Sequence, residues 1–132
     1  MSMDSPDRNP KKKITFLRSF LYAIEGILSA VKSERNLRVH LAFSVFILLL
    51  GWILSITAVE WLVIVLVIGS MLCAELMNSA IERVVDLVTE EYHPLAKQAK
   101  DIAAGAVLLL AFTSVVVGII IFAPRILTIL SL

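Results

Sequence analysis

The sequence predicts an all-α membrane protein, with one amphipathic helix on the membrane surface followed by three transmembrane helices. Three observations predict it. The 132 residues are 59% hydrophobic, with a mean hydropathy of +0.92, too apolar for an ordinary soluble domain. The apolar residues fall into three long runs separated by short polar segments. A fourth stretch near the N-terminus is striped, with charges opposite its apolar face.

Residues 1–13, with two prolines, Ser, Asn and mixed charge, read as a disordered tail. Lys11-Lys12-Lys13 precedes an apolar stretch, but Arg18 and Glu25 interrupt it and no small-residue cleavage site follows, so no secretory signal peptide is expected. The surface helix is placed at 14–31. Ile14, Leu17, Leu21, Ile24, Leu28 and Val31 recur at spacings of three and four, and Phe16, Phe20 and Ile27 widen the stripe. Thr15, Arg18, Ser19, Tyr22, Glu25, Ser29 and Lys32 fill the other side, and the lysines ahead suit an anionic headgroup layer.

Lys32 to His40 reads as a polar connector. Leu41 to Ala58 is apolar apart from Ser44, Ser55 and Thr57, and it forms the body of a first span at about 38–57. Thr57-Ala58-Val59-Glu60 reads as a tight turn flanked by Trp52 and Trp61, a pair suited to an interfacial aromatic belt. The second span, 61–88, would be about 42 Å long against a hydrocarbon core of about 30 Å, so its last turns must protrude. Thr89 to Lys100 reads as a polar loop, with Asp101 as the N-cap of a third span at 102–123. Pro124-Arg125 is expected to end that span, and 126–132 forms a short apolar tail. All of 14–125 is read as one membrane domain. Cys73, the one cysteine, excludes an intrachain disulfide and is expected in the core.

Eleven of the twelve basic residues lie before the first span, at the inner end of the second, or in the loop before the third; only Arg125 lies beyond. The positive-inside rule therefore puts the N-terminus and the 89–101 loop in the cytoplasm, and the 57–60 turn and the C-terminus outside.

The second span carries the chemistry. Fourteen uncharged residues, Trp61 to Ala74, run straight into Glu75-Leu-Met-Asn78-Ser-Ala-Ile-Glu82-Arg-Val-Val-Asp86. At about 100° per residue, Glu75, Asn78, Glu82 and Asp86 share an arc of about 80°, with Leu76, Met77, Ile81, Val84 and Val85 elsewhere on the helix. A carboxylate costs about 2.5–3.5 kcal/mol near a bilayer centre on insertion scales. Such a face suits a metal or proton site directed at other helices. Glu34, Arg35, Asn36 and Arg38 of the connector and Glu91, His93, Lys97, Lys100 and Asp101 of the loop gather at the same boundary. Hard oxygen ligands with cations beside them fit a Mg²⁺–phosphate site. A carboxylate set deeper than the metal ligands, such as Glu75, would meet a lipid hydroxyl at the interface.

Neither G-x-x-x-x-G-K-[ST] nor G-x-G-x-x-G is present; the glycines, at 26, 51, 69, 105 and 118, are scattered. The backbone N–H groups at the start of the third span, beside Lys100, are a candidate phosphate cradle. Small residues cluster at one depth, Gly69, Ser70 and Ala74 on one span and Ala103, Ala104, Gly105 and Ala106 on the next, and permit close helix contact. Three spans are too few to enclose the site, so a homo-oligomer with sites between subunits is expected. A small cation carrier or channel subunit is the alternative from another class: it explains intramembrane carboxylates but not the basic groups beside them. No nucleic-acid partner is expected.

Glu75-x-x-Asn78-Ser79-Ala80-Ile81-Glu82-x-x-x-Asp86, then Glu91-Tyr92-His93 and Lys100-Asp101, resembles the small bacterial integral-membrane diacylglycerol kinase family over roughly residues 14–123. The resemblance implies a homotrimer with shared sites at the cytoplasmic face of the bacterial cell membrane. It implies transfer of the γ-phosphate of Mg·ATP to a lipid primary hydroxyl. It gives Glu75 the role of catalytic base or hydroxyl-orienting carboxylate, and makes Glu34 and Glu82 the Mg²⁺ ligands. Asn78 and Asp86 become site-shaping partners. Tyr22, Glu91, Tyr92, His93, Lys100 and Asp101 become nucleotide contacts, with Lys100 on phosphate; Gly26 matches a less distinctive position. Within the family, Ser33 to His40 and Lys100 to Val107 look like the branch that prefers undecaprenol. The diacylglycerol-preferring branch typically carries a Gly-Ser pair where this chain has Ala103-Ala104.

Overall fold

The computed structural model describes residues 16–131, so the expected tail at 1–13 and the first two residues of the surface helix, Ile14 and Thr15, lie outside the described residues. Four helices follow in order: α1 Phe16–Ser33, α2 Arg35–Ile53, α3 Ala58–Val88 and α4 Pro94–Leu130. The last three are long and apolar enough to cross a membrane, and the chain is a multi-pass membrane protein. α1 is the non-spanning helix. Its apolar stripe, including Phe16, Leu17, Phe20 and Leu28, is exposed, as a face meant for lipid would be.

The 32–40 stretch is an elbow and not an extended connector. Glu34 alone interrupts the helical path between Ser33 and Arg35. Arg38 folds back and donates from Nη1 to the carbonyls of Val31 and Lys32 at 3.1 and 2.9 Å, satisfying acceptors that the end of α1 leaves open. Ala30 and Leu37 are buried at the joint.

The α2–α3 turn occupies 54–57, not 57–60. The Ser55 N–H donates to the Trp52 carbonyl and the Ile56 N–H to the Gly51 carbonyl, each at 3.2 Å, a pattern that closes a helix through a left-handed residue. Ser55 takes that position with φ 49°. Ile56 then folds over Gly51, where an added Cβ would lie 3.0 Å from Ile56 Cδ1 and 3.2 Å from Trp61 Cη2. Thr57 caps α3: its Oγ1 accepts from the Glu60 N–H, and Glu60 Oε2 accepts from the Thr57 N–H at 2.7 Å. That box puts 58–60 inside the helix.

α4 starts eight residues before the Ile102 expected from hydropathy. His93 is its N-cap, accepting the Leu95 N–H on Nδ1 at 3.2 Å, and Pro94 follows at the first position. Asp101 is therefore not a cap. It lies on the helix surface in an ion pair with Lys97, one turn earlier. The N–H groups beside Lys100 belong to helical turns, so the expected phosphate cradle is absent there. Nor does Pro124 end the helix, which continues through the supposed tail to Leu130. Arg125 stays on the helix, with Nη1 bonded to the Ile121 carbonyl at 2.9 Å and both terminal nitrogens on Glu60 at 2.6–2.7 Å. Proline within a membrane helix is tolerated where neighbouring groups take up freed backbone partners.

α3 is the axis of the fold. It packs most extensively on α4, then on α2, and α1 touches both α2 and α3. The apolar core, Ile56, Ile64, Ile121 and Phe122 with Trp61 and Leu50 around them, sits at the end carrying the 54–57 turn. Beside it α2 and α4 leave a cleft of about 380 Å³ along α3, lined by Ile64 and Phe122 of that core and by Phe43, Met71, Val115 and Gly118 among others. Cys73 is exposed and not in the core, because it lies on a side of α3 that none of the other helices covers.

Candidate active site

At the opposite end from that core, α3 presents its polar face. Glu75 lies 17 residues into α3, about 26 Å along the axis from Ala58. It is 3% exposed, and Met71 and Ser79, one turn to either side, are buried with it. Of the arc expected from the sequence, Glu75 is buried, Asn78 and Glu82 are half-buried, and Asp86 is exposed. Ser79 Oγ donates to the Glu75 main-chain carbonyl at 3.0 Å.

The partner of the Glu75 carboxylate comes from α2. His40 Nε2 lies 3.1 Å from Glu75 Oε1. His40 also borders the end of the apolar cleft, so the pair stands where cleft and polar face meet. By sequence alone His40 is the last residue of a polar connector. A lone histidine 35 positions from its carboxylate carries no spacing signal.

One turn outward, Asn78 Nδ2 donates to Glu82 Oε1 at 3.1 Å, and both side chains are half-buried. Asn78 Oδ1 is buried with no hydrogen-bond partner. A buried acceptor left open is costly and calls for a donor or a cation. Glu34 approaches from the elbow. Its Oε1 accepts from Ser33 Oγ at 3.1 Å and lies 3.5 Å from Arg83 Nη2, which donates to Ser33 Oγ at 2.6 Å. Arg83 thus ties the elbow to α3. Among the described residues no group of three or more His, Cys, Asp or Glu side chains is gathered to hold a metal. Magnesium asks for less: one or two carboxylates, with phosphate oxygens and water completing the shell. The carboxylates of Glu34 and Glu82 and the open Asn78 oxygen are hard donors that fit such an ion.

Asp86 and Lys100 meet across α3 and α4, with Lys100 Nζ donating to Asp86 Oδ1 at 2.5 Å. This fixes a cation on the protruding ends of the two long helices, one further turn outward. His93 is engaged as the α4 cap through Nδ1, which leaves Nε2. Glu91 and Tyr92 are exposed in the short 89–93 loop; the Glu91 carbonyl and N–H both bond the Thr89 hydroxyl. Tyr22 is exposed on α1. One chain therefore aligns Glu75, Asn78, Glu82, Asp86 and Lys100 along one face. It holds Glu34 beside that face through Arg83 and leaves Tyr22, Glu91 and Tyr92 open.

The family described as prokaryotic diacylglycerol kinase matches residues 21–122. An undecaprenol kinase of Bacillus subtilis is 44% identical over 124 residues, 93% of this chain and 99% of that protein. A diacylglycerol kinase of Synechocystis sp. is 41% identical over 115 residues, 86% of this chain and 66% of its own. A diacylglycerol kinase of Escherichia coli is 30% identical over 96 residues, 72% and 78% of the two chains.

Proposed function

The chain belongs to the prokaryotic diacylglycerol kinase family, which makes it an ATP-dependent kinase of a membrane lipid hydroxyl, and we propose that its principal acceptor is undecaprenol. End-to-end similarity to an undecaprenol kinase carries this choice. Ala103-Ala104 agrees with it: Ala103 is buried on α4, where a Gly-Ser pair would offer different packing. Diacylglycerol is the second reading, supported by the several relatives that act on it. Family membership sets aside the cation-carrier alternative.

Glu75 is the base or orienting carboxylate for the acceptor hydroxyl. A carboxylate buried where the apolar run of α3 gives way to its polar face is the observation that supports this role. The acceptor oxygen bonds to the γ-phosphorus as the bond to the β-bridging oxygen breaks; ADP leaves with that electron pair, and the hydroxyl proton passes to Glu75. Glu34 and Glu82, with Asn78 shaping the site, would hold Mg²⁺, which would supply charge neutralisation at the ATP phosphates. Lys100, positioned by Asp86, contacts phosphate. Tyr22, Glu91, Tyr92, His93 and Asp101 contact the nucleotide, and exposed groups of that kind need a second surface to complete a pocket. That need, with the bare apolar faces of all three spans, supports a homotrimer with shared sites. The distribution of basic residues supports a cytoplasmic site in the bacterial cell membrane, with the C-terminus outside.

The test is phosphate transfer by purified protein in mixed micelles, with Mg·ATP and either undecaprenol or diacylglycerol. A lipid phosphate is expected, formed faster from undecaprenol; no lipid phosphate from either acceptor would remove the assignment.

A further inference from the structure

We propose that His40 is the positioning residue for Glu75. On this account its Nε2–H holds Oε1, so that Oε2 faces the acceptor hydroxyl. The inference rests on the reading of Glu75 as the group that receives the hydroxyl proton.

Three observations lead to it. A carboxylate that is 3% exposed has lost most of its water, and desolvation of an unpaired charge is costly. Among the described residues, His40 is the only basic side chain within 4.0 Å of that carboxylate, with Nε2 3.1 Å from Oε1. The neighbouring polar groups are engaged elsewhere: Asn78 Nδ2 on Glu82, and Ser79 Oγ on the main-chain carbonyl. His40 and Glu75 also come from different helices. The contact therefore fixes the carboxylate relative to α2, which borders the apolar cleft, as well as to its own helix.

The chemistry needs such a hold. A carboxylate with both oxygens free swings about its terminal torsion, which is broad and roughly two-fold. Fixing one oxygen by a charge-assisted bond directs the other, and a base misplaced by about 1 Å costs on the order of 100-fold in rate. The donor must be Nε2–H, because only that tautomer, or the doubly protonated ring, offers a proton toward Oε1.

Three substitutions of His40 test this in the full-length protein. His40→Leu should lower kcat by about 10–100-fold and leave KM for ATP and for the lipid within about twofold. His40→Gln places an amide N–H near the Nε2 position and should recover most of kcat. His40→Asn, one methylene shorter, should not, and kcat of His40→Gln should exceed it by about tenfold. Thermal midpoint and oligomer size are measured for each variant. If His40→Leu is folded and turns over within twofold of the parent, the proposal is overturned. Equal kcat for the Gln and Asn variants would overturn it too, and that comparison stands even if the Leu variant does not fold. Glu75→Gln separates the two levels. If it stays active, the reading of Glu75 itself fails. If it is inactive while His40→Leu is active, only the His40 inference falls. The double variant His40→Leu/Glu75→Gln should be no slower than Glu75→Gln alone, since both changes act through one carboxylate. A further tenfold loss would overturn the proposal.

Discussion

Replacing Glu75 by Gln removes a proton acceptor and little else. The side chains are close in shape, so a residue 3% exposed between Met71 and Ser79 keeps its packing. The Gln carbonyl oxygen can take the place of Oε1, 3.1 Å from His40 Nε2, so the contact between α2 and α3 survives. The bond from Ser79 Oγ goes to the main chain of residue 75 and is untouched. Folding stability should therefore change by no more than about 1 kcal/mol, within the range of a neutral hydrogen bond. Loss of a positioned general base costs about 10²–10⁴ in rate, or about 3–5 kcal/mol of activation free energy. Because Glu82, Glu34 and Lys100 remain, KM for Mg·ATP should stay within about threefold. The assay is transfer of radiolabelled γ-phosphate into lipid in mixed micelles, with kcat and KM fitted separately and oligomer size measured by light scattering. A folded Glu75→Gln protein retaining more than a tenth of the parental kcat would refute the base assignment.

Glu82→Gln removes a hard anionic donor and should raise the Mg²⁺ concentration needed for half-maximal rate, read from a magnesium titration at fixed ATP; an unchanged titration would count against Glu82 as a ligand. Lys100→Met should raise KM for ATP about tenfold or more, the equivalent of one charged hydrogen bond, with kcat less affected. Ser55→Gly relieves a left-handed residue at the α2–α3 turn. A conformational cost of about 1–2 kcal/mol is removed and about 0.5–1 kcal/mol of chain entropy is added, so a net gain of about 0.5–1 kcal/mol should appear as a higher thermal midpoint in detergent. Gly51→Val adds volume where even a Cβ meets Ile56 and Trp61 at 3.0–3.2 Å, and should destabilise by about 1–3 kcal/mol in the same measurement.

Periodicity and hydropathy made the membrane spans legible, and the 3.6-residue repeat made legible the face that carries the buried Glu75 and the half-buried Asn78 and Glu82. Both signals follow the bilayer and not the backbone, which explains where they failed. Residues 94–101 are polar because they leave the hydrocarbon, yet the helix continues there from a cap at His93, reinforced by Pro94. Pro94 at the first helical position was a usable signal that the polar composition masked. Pro124 looked like a stop because a proline breaks an isolated helix, whereas here the helix runs on with Arg125 bonded to Ile121 and Glu60. The pairings that knit the fold, His40–Glu75, Arg83–Glu34 and Arg125–Glu60, join residues far apart in sequence and follow no spacing rule. Residue types identified Glu34 and Lys100 as candidates. Only the fold shows that Arg83 and Asp86 hold them beside α3.

The most direct test of the central claim is a competition. Undecaprenol and diacylglycerol at equal mole fraction in the same micelles compete for the purified enzyme and Mg·ATP, and the ratio of the two phosphorylated products gives the ratio of kcat/KM. The account predicts undecaprenyl phosphate in at least tenfold excess. Equal products, or an excess of phosphatidic acid, would contradict it.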